Sequence, residues 1–102
     1  MRIPCPVAKD RLIGVDVIDG VRMIEMGDLT AAIPRWPHTP AMRLATRRAI
    51  RSRQFVATDV ARKWATDLDK EQAPVLAAVL DWADRIPLAQ PRWEVTVDAH
   101  VA

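Results

Sequence analysis

Arg43, Arg47 and Arg51 recur every four residues, a spacing that lines up three guanidinium groups on one side of a helix. Arg48, Arg53, Arg62 and Lys63 follow within the same stretch. Like charges four residues apart repel by roughly a few tenths of a kcal/mol per pair in an isolated helix, so such a row calls for an anionic partner. Phosphate suits it, because the planar guanidinium donates two parallel hydrogen bonds to it. Phosphate contacts also dominate non-specific nucleic-acid affinity. These seven residues are therefore candidate nucleic-acid contacts. The same charge has a second use. Asp67, Asp69, Glu71, Asp81 and Asp84 lie in the last third of the chain, and helix packing can pair them with the arginines.

No other constellation points to chemistry. Ser52 is the sole serine and lies in the basic stretch. His38 and His100 have no Cys or carboxylate at metal-ligand spacing, and the three glycines, Gly14, Gly20 and Gly27, form no phosphate loop. The expectation is a protein with no catalytic residues, no metal and no cofactor. Asp10, Asp16 and Asp19 read as solvated turn or edge residues. Cys5 is the only cysteine, which excludes an intrachain disulfide and suits a reducing, cytoplasmic compartment. Trp64, Trp82 and Trp93 occupy positions expected in a core. Trp36 sits beside Arg35 in a proline-rich connector. Two readings stand for that pair: an exposed interface anchor, or packing of the indole against a sheet.

The chain of 102 residues carries a net charge of only +2, with half of its residues apolar. The charge is unevenly spread. Residues 1–33 net −1, residues 34–63 net +7, and residues 64–102 net −4. This asymmetry points either to an anionic partner or to internal pairing. No apolar run nears the roughly 18 residues of a membrane span, and the N-terminus has no apolar signal region. The expectation is a single domain with no membrane role, for which a homodimer would bury additional surface. Twelve Arg against three Lys, sixteen Ala and no Asn suggest a GC-rich gene, as in some bacteria and their phages or mobile elements.

These residues need elements to hold them. Residues 1–10, with Pro4 and Pro6, read as an arm. Ile13, Val15 and Val17 alternate with Gly14 and Asp16, the two-residue period of a strand. Asp19-Gly20 favours a type I′ hairpin turn into Val21–Met26. Pairing Ile18 with Val21 sets Val15 opposite Ile24 and Ile13 opposite Met26. Gly27-Asp28 reads as a second turn and Leu29–Ile33 as a short third strand. Three prolines make residues 34–40 a stiff connector. A first helix is expected over Pro40–Arg53, and a second from Thr58, taken as its N-cap. A third is expected over Pro74–Ile86, apolar nearly all round, with Pro87 ending it. A final strand covers residues 92–98, where Trp93, Val95 and Val97 alternate with polar residues. The expected class is α+β: a small antiparallel sheet, built from an N-terminal hairpin or meander plus a C-terminal strand, covered by three helices from residues 40–86.

Arg43 to Val97 resembles a winged helix-turn-helix DNA-binding domain. The pattern is a helix, then Phe55-Val56-Ala57-Thr58-Asp59-Val60-Ala61-Arg62-Lys63-Trp64-Ala65, then a longer helix and a strand. The resemblance implies that Pro74–Ile86 enters the major groove and that Trp93–Val97 belongs to a wing. Asp81 and Asp84 on that helix depart from the pattern. A second assignment makes Thr58–Trp64, with Arg62 and Lys63, the reading helix. The functional expectation is a small nucleic-acid-binding or regulatory protein. The alternative is a protein-interaction or assembly module, such as a phage structural accessory or an inhibitor of a host protein.

Overall fold

Asp19 and Gly20 both have positive φ, 53° and 77°, the pattern of a type I′ turn. They join β2 (Arg11–Ile18) to β3 (Val21–Glu25). The register is the expected one, with Ile18 opposite Val21 and Val15 opposite Ile24. Val15, Ile24 and Ile13 are fully buried. The computed structural model describes residues 1–37, 40, 42, 48–50 and 53–88, with 48–50 described by backbone alone. The expected C-terminal strand at 92–98, and Trp93 with it, lies outside the described residues.

Residues 1–10 are not a free arm. Arg2–Cys5 forms β1, antiparallel to the first half of β2, with Ile3 opposite Ile13. Pro4 is tolerated because β1 is an edge strand. A short 3-10 turn, Pro6–Ala8, leads back to β2. Ile13 thus pairs with Ile3, not with Met26.

Gly27-Asp28 is not a turn, and Leu29–Ile33 is not a strand. Met26–Ala32 forms α1. Glu25 supplies the helix start: its carboxylate accepts from the Gly27 N–H at 3.2 Å and the Asp28 N–H at 2.7 Å. Both donors are among the unpaired N–H groups of a helix N-terminus. Leu29 and Ile33, four apart, are both fully buried. That spacing is helical, and it overrides the turn signal of the glycine.

The helix expected over Pro40–Arg53 holds at its start, where Pro40 and Met42 are helical, but does not reach Arg53. Arg48–Ile50 is β4 and Arg53–Ala57 is β5, antiparallel, with Arg48 opposite Phe55 and Ile50 opposite Arg53. β5 also pairs with β3, setting Val56 opposite Ile24. Phe55 and Val56 are buried, and residues of these types fit a pleated, half-buried surface. Sheet pairing outweighs the helix propensity of the Arg- and Ala-rich sequence around them. Among the described residues the result is a five-stranded antiparallel sheet in the order β1-β2-β3-β5-β4.

Two helices follow β5. Thr58–Arg62 is α2, continued by a 3-10 turn over Lys63–Asp67. Ala57, not Thr58, holds the N-cap position. The Thr58 hydroxyl is turned to another use and donates to Asp84 Oδ1 at 2.8 Å. Gln72–Arg85 is α3, close to the span expected. Leu76, Val79, Leu80 and Ala83 are its fully buried residues. They join the sheet residues and Trp36, Ala61 and Trp64 in one core. Arg22 of β3 fixes the end of α3 by donating to the Ala83 and Ile86 carbonyls at 2.9 and 2.7 Å. Carbonyls in the last turn have no partner within the helix, so a guanidinium there is doubly favourable.

Candidate nucleic-acid interface

Where it is described, the basic segment runs from a turn at Arg35 through the β4–β5 hairpin to α2. Its middle is the β4–β5 hairpin, with Arg48 at the start of β4 and Arg53 at the start of β5. β4 is an edge of the sheet. The hairpin is anchored through β5, whose Val56 joins the core and whose Phe55 is also buried. Arg53 is exposed and forms no ion pair among the described residues. Arg43, Arg47 and Arg51, and therefore the expected helical row, lie outside the described residues.

The flanks behave differently. Arg62 pairs with Asp81 at 2.8 Å and also with Asp84. The hydrogen bonds that Arg62 donates to Asp84 and then to Asp81 hold its guanidinium above its ordinary pKa, against a smaller opposing effect of burial. Asp84 also accepts from Thr58, so α2 and α3 are joined by a closed polar cluster. Arg35 takes the left-handed conformation, φ 59°, and reaches Asp69 at 3.4 Å and Glu71 at 3.3 Å. Those groups are mostly exposed, and pairs of that kind contribute little to stability. Lys63 is exposed and unpaired among the described residues.

The acidic last third thus occupies Arg35 and Arg62, at the two ends of the basic segment. Between those two ends the sequence carries Arg43, Arg47, Arg48, Arg51 and Arg53 with no acid intervening, and Lys63 follows Arg62.

Trp36 is not an exposed anchor. It retains 7% exposure and meets Trp64 edge to face, with ring centroids 5.8 Å apart. The indole is worth more inside the core than in water. Of the expected Arg35–Trp36 interface pair, only Arg35 lies at the surface.

A second polar cluster went unseen in the sequence. Asp28 of α1 accepts from Arg2 Nη2 at 2.8 Å, Arg2 Nε at 3.1 Å and the Gly14 N–H at 2.8 Å. Burial pushes the Asp28 carboxyl up in pKa. The hydrogen bonds from Arg2 and Gly14, and the Arg2 charge, outweigh it and carry the group below its ordinary value. With its oxygens committed in this way, Asp28 fastens α1 to β1 and β2. The signal available in the sequence was Glu25-x-x-Asp28 ahead of Leu29 and Ile33, which marks a helix start.

Among the described residues, no group of three or more His, Cys, Asp or Glu is placed to hold a metal ion. Among the same residues, no helix is long and apolar enough to cross a membrane. No family model matches the chain, and no curated protein or solved structure is similar to it.

Proposed function

We propose that the chain is a small nucleic-acid-binding or regulatory protein that grips phosphates through Arg43, Arg47, Arg48 and Arg51, with Arg53 and Lys63 adding charge. One observation carries this reading: the acids of the last third occupy Arg35 and Arg62, whereas Arg53 and Lys63 have no ion-pair partner among the described residues. A two-stranded ribbon is narrow enough to lie in the major groove, and β4 and β5 begin with Arg48 and Arg53. The winged helix-turn-helix resemblance adds a mode of docking in which α2 or α3 approaches the duplex. Arg62 would then serve the protein itself and not the phosphates. A cytoplasmic setting, and an origin in a phage or mobile element, belong to the same proposal.

The triple change Arg43→Gln, Arg47→Gln, Arg51→Gln tests it. A folded protein that loses duplex binding supports the proposal. A folded variant that binds duplex as the parent does refutes it.

The second reading, a protein-interaction or assembly module without a nucleic-acid role, is favoured by the ion pairs of Arg35 and Arg62. They demonstrate that this chain uses part of its basic charge internally. Under this reading the triple variant loses stability or partner assembly instead.

A further inference from the structure

Away from the basic segment, the β1–β2 connection and the end of α1 border an open surface pocket of about 200 Å³. Val7, Ala31, Ala32 and Pro34 give it apolar walls, and Lys9 and Arg11 also line it. Neither cation forms an ion pair among the described residues. Lys9 and Asp10 both adopt the left-handed conformation, φ 54° and 59°, which is unusual for residues bearing a Cβ. The turn is held in place from both sides. The Asp10 N–H donates to the Cys5 carbonyl at 2.9 Å, and Cys5 and Ala8 are buried. Strained turns of this kind gather at binding sites, where the strain pre-organises a contact.

We propose that this pocket binds a small organic carboxylate. The short apolar body packs against Val7, Ala31 and Pro34, and the carboxylate is taken by Lys9 and Arg11. Charge alone does not define the ligand, because about half of the lining is apolar; apolarity alone does not, because two cations without an ion pair among the described residues line the space. The volume equals that of roughly six or seven liquid waters and falls short of the roughly 300–1,000 Å³ of pockets for drug-sized ligands. The ligand is therefore a short acyl chain, either as a free acid or as the C-terminal residue of a peptide.

The test is an NMR titration of the nitrogen-labelled full chain with pentanoate, pentanol and inorganic phosphate in parallel. The expected result is saturable shifts confined to residues 7–11 and 31–34 with pentanoate. Pentanol and phosphate should bind about tenfold more weakly or not at all. Ala31→Leu fills the pocket and should weaken pentanoate about tenfold. Lys9→Gln with Arg11→Gln, two surface changes that spare the core, should do the same if Ala31→Leu fails to fold. An N-acetylated dipeptide with a free C-terminal carboxylate separates the two sources: tighter binding than pentanoate assigns a peptide terminus, weaker binding a free acid. Equal binding of pentanol and pentanoate overturns the proposal. So does the absence of saturable shifts, or pentanoate binding that survives the Lys9 and Arg11 changes.

Discussion

Replacing Arg62 with Gln separates the structural part of the basic charge from the part assigned to phosphate. Arg62 pairs with Asp81 and Asp84, and the side chains of Arg62 and Asp84 are 36% and 33% exposed. Asp81 is 55% exposed, so its share is about 0.5 kcal/mol. The Asp84 bond is charge-assisted and partly buried, which sets its share at about 1.5 kcal/mol before solvent screening. Discounting both for exposure leaves a loss of about 1–1.5 kcal/mol. For a domain of this size that lowers Tm by roughly 5–10 °C. Urea denaturation followed by circular dichroism should show an earlier midpoint with an unchanged slope. A double-mutant cycle with Asp84→Asn should return a coupling of about 1 kcal/mol, shrinking in high salt. Duplex affinity should stay at the parent value. A Tm within about 1 °C of the parent would mean that the two carboxylates do not hold Arg62. A duplex salt slope reduced by about one would return Arg62 to the phosphate contacts.

Three further outcomes follow from the packing around α1 and β2. Asp28 has its pKa lowered in the folded state, so its contribution is fully present above the unfolded value near about 3.9. It is lost as pH falls through the folded value below that, and Asp28→Asn should flatten this acid limb of a stability–pH curve. Gly14→Ala places a Cβ 2.9 Å from Glu25 Cβ and 3.4 Å from Asp28 Oδ2. The first neighbour is not the free end of a side chain, so the change should cost about 1–3 kcal/mol by chemical denaturation. Cys5 is fully buried and its thiol is pushed up in pKa by that burial, against weaker hydrogen bonds from the backbone at Ala8 and Val7. It should resist alkylation in the native protein and react at the unfolded rate in denaturant.

The β2–β3 hairpin was legible in the sequence because two local signals agree: the alternation of Ile13, Val15 and Val17, and the Asp19-Gly20 turn. α3 was legible for the same reason, with a long apolar pattern bounded by Pro87. The failures lie where a long-range partner decides. β1 exists because Ile3 finds Ile13, and nothing in residues 1–10 announces it. β5 exists because Val56 finds Ile24 across the sheet, a pairing that no local signal announced, so the expected helix was carried on to Arg53. α1 was hidden by Gly27, although Leu29 and Ile33 had helical spacing. The candidate site was half legible. Charge counting located the basic segment and the acids able to occupy it, but which arginines the acids take depends on helix packing. Trp36 depended on the same packing, because only the fold brings it to Trp64.

The most direct measurement is duplex DNA affinity of the full chain across a salt series. The account predicts measurable binding at low salt and a log–log slope of about −3 to −5, for four or five neutralised phosphates. Absent binding at low salt, or a slope near zero, would contradict it and leave the arginines to a protein partner or to the fold itself.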